Sequence, residues 1–267
     1  MSPAAAEPTS APGMRAVRTA LRVLETVSEL QPVGVSAIAR ATGVPKSSVQ
    51  RCLVSLREAS WITSSPGDAQ RWTLTGRALS VGLRGSAERG LREAARAVMQ
   101  ELRDETRETI HLIGFGPEHA GPSEAGPGAL VVIDRVDSPE PVRTWVRLGT
   151  AVPLHASCSG RAVLSRLPEA EARELVGTAP ERFSDETITE PDELVSELHA
   201  VRERGYAVAR GSWRAGVGAV AAAVVDAAGR PVGALAVSAP QQRFGDGREE
   251  ELGALVIMAV ARVGAAL

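Results

Sequence analysis

The chain has 267 residues, 44% of them hydrophobic but only 3% aromatic, and a formal net charge of −2. That length suits one large domain or two ordinary ones with aliphatic cores. No apolar run approaches the roughly 18 residues of a membrane helix, no charged-then-apolar leader opens the sequence, and Cys52 and Cys158 stand too far apart to suggest a disulfide framework or a metal site. The expectation is a cytoplasmic protein with no membrane partner and no cofactor.

The small net charge hides an asymmetry. Residues 1–85 hold ten basic and five acidic side chains, whereas residues 86–267 hold 20 and 27. A basic first third beside an acidic remainder points to one domain that meets a polyanion and one that does not.

Residues 1–13 are rich in Ala, Pro and Ser without periodicity and read as a disordered tail. From Arg15, apolar residues recur at Val17, Ala20, Leu21, Leu24 and Val27, the spacing of an amphipathic helix. Arg15, Arg18 and Arg22 fall on or beside its polar side, where they face either phosphates or solvent. Two short helical patterns then meet at Gly43. Ser36 is placed to cap the first, Gly43 supplies the freedom for a sharp turn, and Pro45 suits the first turn of the second. In that second helix Val49, Leu53 and Leu56 share one face, with Ser47, Arg51 and Val54 opposite and Ser48 and Gln50 on the flanks. A core side backed by short polar groups and an arginine suits a base-reading helix in a major groove.

Trp61–Ser64 and Arg71–Leu74 are β-rich runs around a Pro66-Gly67-Asp68 turn, a hairpin directly after the reading helix. That is the wing of a winged helix, and Arg71 is placed to reach a sugar-phosphate backbone or a minor groove. Arg40 and Lys46 are the expected phosphate anchors. Ser47, Gln50 and Arg51 are the expected base readers, with Ser36 and Ser48 as neighbouring contacts on double-stranded DNA. The pattern at 75–84, through Ala78, Leu79 and Leu83, reads as a linker helix ending near Gly85 and Gly90. A further helix carries Leu91, Ala94, Ala95, Val98, Met99 and Leu102 on one stripe, which fits pairing between subunits as well as packing on its own domain.

The period changes at Ile110. Strands are expected at 110–115, 129–136, 143–147, 206–210, 217–225 and 232–239, and helices at 159–166, 169–176, 191–204 and 248–267, with a Gly/Pro/Ser-rich loop at 116–128. Hairpins flanked by helices indicate an α+β domain with an antiparallel sheet. A cleft beneath its long loops is where a small ligand would sit. Enzyme chemistry finds no support. His155, Ser157 and Cys158 lack an acid to orient the histidine, Gly216-Val217-Gly218 has no strand–turn–helix setting, and His111, His119, His155 and His199 lack metal-ligand spacing.

Six segments carry a resemblance in order and spacing. They are PKSSVQRCLVSL at 45–56, ETIHL at 108–112, DRVDSPEPVR at 134–143, VPLHASCSGRAVL at 152–164, ITEPDELVSELHAVRERGYAV at 188–208 and VGALAVSAP at 232–240. From about Met14 onward the chain resembles the IclR family of bacterial transcription regulators. The resemblance implies a winged helix-turn-helix over 14–74, a linker helix over 75–89 and a GAF/profilin-like effector-binding and oligomerisation domain over 90–267. It also implies a homodimer or homotetramer on a palindromic operator and a small organic effector, an acid or an aromatic compound. Carried over by position, Ser157, Cys158, Ser159 and Gly160 are expected in the effector pocket. The chain departs from the family at 209–214, which holds no carboxylate, at Ala219, where the family often has Cys, and in the last strand, where Ala236 and Ser238 replace paired serines. Trp213 and Trp145 are then expected to flank a larger or more apolar ligand, and Arg210 or Arg214 to hold a carboxylate. Trp213 as a packing residue and the two arginines as solvated loop are the alternatives. The function implied is a ligand-responsive repressor; the alternative is an effector-independent regulator whose second domain only oligomerises.

Overall fold

The computed structural model describes residues 13–82, 86–115, 130–245 and 247–267. Most of the predicted tail, the junction at 83–85 and the whole of the predicted 116–128 loop lie outside them. The chain divides into two compact units, 1–85 and 86–267.

In the first unit, helix α1 (Arg15–Leu30) packs with α2 (Val35–Thr42) and α3 (Lys46–Glu58) around Val23, Val27, Ile38, Val49 and Leu53, all essentially inaccessible. The buried stripe of α1 lies toward its second half, so Val17 and Leu21 of the predicted apolar face are half exposed. Gly43 ends α2 at φ +67°, a left-handed conformation that costs glycine little. Arg22 Nη2 donates to the carbonyl of Thr42, satisfying an orphan acceptor at that helix end. Strands β1 (Val33–Gly34), β2 (Ile62–Ser65) and β3 (Asp68–Leu74) form an antiparallel sheet with β3 in the centre. Pairing of Val33 and Gly34 with β3 starts α2 two residues earlier than expected, with Gly34 at its N-cap. Ser36 therefore lies inside the first turn and caps nothing. Pro45 likewise sits at the N-cap of α3, its carbonyl accepting from Ser48 and Val49. Helix α4 (Gly76–Gly82) follows the wing.

The second unit is built on a six-stranded antiparallel sheet. Its strands are β4 (Thr109–Phe115), β5 (Leu130–Val136), β6 (Ala151–Val152), β7 (Ala207–Arg210), β8 (Val217–Val225) and β9 (Pro231–Pro240), in the order β6-β5-β4-β9-β8-β7. One face carries Ile110, Leu112, Val220, Ala222, Val224, Leu235 and Val237 against α5 (Ser86–Thr106) and α9 (Arg248–Gly264). The other carries Ile113, Ala219, Ala221, Ala223, Ala234 and Ala236, covered by α6 (Cys158–Leu164) and by Val201 of α8 (Pro191–Arg204). Helix α7 (Glu169–Val176) joins α6 and α8 in a satellite cluster around Leu164, Leu194 and Leu198. Burial on both faces explains why β8 reads as an uninterrupted apolar run. Helices on both faces and antiparallel pairing throughout make this an α+β fold.

Two expectations need correction. Helix α5 runs from Ser86 through Gly90 without a break, so no helix end falls at Gly90; of the predicted linker helix over 75–89, residues 76–82 lie in α4, 86–89 in α5, and 83–85 outside the described residues. Residues 143–147 form no strand. Val146 donates its N–H to His111 Nε2 at 3.1 Å and its carbonyl accepts from Arg135 Nη1 at 2.8 Å, so side chains take the bonds a ladder would use. The short strand falls instead at Ala151–Val152, paired with β5.

Candidate functional site

Helix α3 presents one polar side. Lys46, Ser47, Gln50 and Arg51 are exposed, Ser48 is half-buried, and Val49, Leu53 and Leu56 point into the core. Among the described residues, Arg40, Lys46 and Gln50 make no side-chain hydrogen bond or ion pair, and Arg51 makes only a long 3.5 Å contact with Ser48 Oγ. These side chains are free to meet a partner. Ser36 is exposed at the start of α2. Arg71 is more committed than the sequence suggested, since its Nη1 donates to the carbonyl of Pro32 at 2.9 Å and its Nε pairs with Asp68 at 3.5 Å.

The second unit holds a cavity of about 240 Å³ over the alanine face of its sheet. Pairing sets His111 opposite Ala236, and Ser238 opposite Ala219 on one side and Thr109 on the other. Ala209, Ala219 and Ala236 pave the floor, and side chains of that size leave the space that α6 does not fill. Ser157, Cys158 and Ser159 enter from the start of α6, while Thr144, Trp145 and Val146 come from the loop between β5 and β6. Of the residues expected there, Ser157, Cys158, Ser159, Trp213, Ala219 and Ser238 line the cavity.

Gly160 and Arg210 do not. Gly160 is needed for close approach: a Cβ there would lie 2.2 Å from the carbonyl oxygen of Leu154. Arg210 lies on the sheet edge and is held by both carboxylate oxygens of Glu249. Arg214 lines the cavity in its place, with its guanidinium 4.5 Å over the Trp213 ring. Much of its surface is open, yet partial burial lowers its pKa below the usual guanidinium value. Among the described residues Arg214 has no carboxylate partner, and neither Asp nor Glu lines the cavity. Sequence reasoning assigned no site role to His111, Thr144, Val146 or Ala209. The alternation of β4 and β9 was the available signal, since His111 shares a face with Ile113, and Ala236 with Ser238.

The polar groups of the cavity are mostly engaged. Ser157 caps α6, accepting from Gly160 N–H at 2.9 Å and donating to the carbonyl of Pro153 at 2.7 Å. Thr144 Oγ1 donates to Ser238 Oγ at 3.0 Å, and His111 Nδ1 lies 3.3 Å from the same oxygen. Burial, with Arg135 adding to it, pushes the His111 pKa down to about 4, so the ring is neutral near pH 7. Burial raises the Cys158 thiol to about 11, which leaves it protonated and unsuited to nucleophilic attack. His155 donates from Nε2 to the carbonyl of Glu181 at 2.7 Å and stacks near Phe183, serving structure and not Cys158. No cluster of metal-ligating side chains occurs among the described residues, and no described helix is long and apolar enough to cross a membrane. His119 lies outside the described residues.

A winged helix-turn-helix joined to an α+β unit with a partly open pocket defines a DNA-binding regulator. The family model for the IclR helix-turn-helix domain matches residues 16–66, and that for the bacterial transcriptional regulator IclR C-terminal domain matches 86–265. The chain belongs to the IclR family of transcriptional regulators, a family of regulators and not of enzymes. It is 32% identical over 227 residues to the probable transcriptional regulator SauR of Cupriavidus necator, covering 84% of this chain and 86% of that one. It is 27% identical over 245 residues to the acetate operon repressor of Salmonella typhimurium, covering 91% and 86%. In fold it matches an IclR homolog from Microbacterium hydrocarbonoxydans complexed with 4-hydroxybenzoate, at a TM-score of 0.77 and 24% identity, covering 94% of this chain and 98% of the other.

Proposed function

We propose that the chain is a ligand-responsive repressor that acts in the cytoplasm on a palindromic operator as a homodimer or homotetramer. A small organic acid or aromatic compound in the cavity of the second unit controls its affinity for DNA. The observation that carries this reading is the alanine-floored cavity with Arg214 at its edge and no carboxylate in its lining. A cation without a counter-charge beside apolar walls suits an organic anion, which a guanidinium can grip with two parallel bonds. The volume lies below the ~300–1,000 Å³ of pockets for drug-sized ligands, which favours a small effector. Trp213 and the exposed Trp145 offer flat faces for an aromatic ring. That a protein of this fold is complexed with 4-hydroxybenzoate supports a small aromatic acid as the class of ligand, at the level of fold alone.

On the DNA side, Arg40 and Lys46 anchor phosphates while Ser47, Gln50 and Arg51 read base edges, with Ser36 and Ser48 adding short contacts. The support is their position on and beside the polar side of α3, where all but the half-buried Ser48 are exposed. Gln pairs best with adenine and Arg with guanine.

A thermal-shift screen of organic acids and aromatics, followed by operator binding with and without each hit, tests the reading. The expected result is a stabilising compound that changes operator affinity. Stabilising compounds that never alter operator affinity would instead favour an effector-independent regulator whose second unit serves only to oligomerise.

A further inference from the structure

The polarity of one hydrogen-bonded chain settles what the buried Ser238 hydroxyl can offer. The N–H of Val146 can only donate, and it points at His111 Nε2 from 3.1 Å. Nε2 must therefore be unprotonated, because an Nε2–H would set donor against donor. A neutral ring then carries its proton on Nδ1, which faces Ser238 Oγ at 3.3 Å and donates to it. Thr144 Oγ1 donates to the same oxygen. With both lone pairs of Oγ occupied, the Ser238 proton is left to point elsewhere, and among the described residues it has no recorded acceptor. Ser238 lines the cavity.

We propose that His111 is a positioning residue that acts through Ser238: with Thr144 it holds the Ser238 hydroxyl as a hydrogen-bond donor aimed into the cavity, so that the cavity selects ligands presenting an acceptor at that point. This rests on the cavity being the effector site. A ligand with a donor there must turn Ser238 around and break a bond to His111 or Thr144, leaving a buried donor unpaired. A ligand with an acceptor leaves every donor in the chain pointing one way, from Val146 through His111 and Ser238 to the ligand, an arrangement in which successive bonds polarise one another. Neutrality of the ring agrees with its burial. The chain also ties ligand chemistry to the loop between β5 and β6, because the first donor belongs to that loop.

Two measurements on the full-length protein test this. Nitrogen-15 NMR of histidine-labelled protein at neutral pH should show His111 with Nδ1 protonated and Nε2 bare; an Nε2–H ring or a doubly protonated ring overturns the proposal without any ligand. Calorimetric titration with benzoate and benzamide then compares an acceptor-only head with an isosteric head that carries a donor. The affinity ratio should fall about tenfold in Ser238→Ala. It should fall similarly in His111→Gln, whose longer side chain can still accept from Val146 but offers Ser238 no donor. His111→Asn keeps a donor near the Nδ1 position and should restore the ratio to within about twofold of wild type, whereas a purely structural role would leave the two substitutions alike. Both probes binding with a ratio unmoved by Ser238→Ala and His111→Gln overturns the relay alone. Wild-type protein that binds neither probe, or binds both undiminished after Ala219→Leu fills the cavity, overturns the effector-site reading beneath it.

Discussion

On α3, Lys46 and Arg51 are five residues apart, both exposed, and have different proposed tasks. Lys46→Ala is expected to weaken binding to all DNA sequences alike and to reduce the salt slope by roughly one per subunit. Arg51→Ala is expected to relax preference at one operator position by about 1–3 kcal/mol. Mobility shifts on a panel of operator variants at several salt concentrations separate the two, and a uniform loss from both would remove Arg51 from base reading. His111 leaves a signature in acid. Its folded pKa, about 4, lies below the ordinary imidazole value of 6.5, so between those values the unfolded chain binds a proton that the folded chain does not. Stability attributable to His111 is present above about pH 6.5 and lost as pH falls toward 4, by roughly 3 kcal/mol in all. Denaturant titrations across that range should show a shallower acid loss in His111→Asn than in wild type. The residues of α3 were legible because the helical period separates core from polar side within one segment. Arg210 and Arg214 were not separable in the same way. They lie four residues apart in one loop-bounded stretch, and only the fold shows that Glu249, distant in sequence, has taken the first.

Elements divide the labour of the second unit between two sheet faces. Large aliphatics on one face pack under α5 and α9, and truncating the fully buried Leu235 to Ala should cost about 2–5 kcal/mol in chemical denaturation. On the other face α6 presses its Gly160 against the Leu154 backbone. Gly160→Ala should push that helix start away, reducing effector binding and thermal stability together; unchanged values for both would show that the contact can relax. Strand and helix positions were largely readable, since β8 and α8 have the expected bounds. The failure at 143–147 is instructive. Arg143, Trp145 and Arg147 alternate as in a strand, but the backbone partners of Val146 are the side chains of His111 and Arg135. Local pattern does not record side-chain acceptors 35 positions away.

For the molecule as a whole, the proposed coupling has a thermodynamic consequence. If an effector changes operator affinity by some factor, the operator must change effector affinity by the same factor. Titrating effector into free and operator-bound protein should return the two factors equal, and unequal factors would mean that a further bound species is involved. A dimer on a palindrome should also prefer half-sites about 34 Å apart or a multiple of that, so inserting five base pairs between them is expected to abolish tight binding. The division into a basic and an acidic part was readable from charge counts, while the division of the sheet into a load-carrying face and a roomy one was not, because alanine and valine both read simply as apolar. That roomy floor has an implication for how such a protein can change. Ala209, Ala219 and Ala236 are backed through the sheet by a separate aliphatic layer that holds the fold. Single exchanges among small residues there can reshape what the cavity accepts with little risk to folding, so descendants of one regulator can acquire new inducers while keeping the same scaffold and the same reading head.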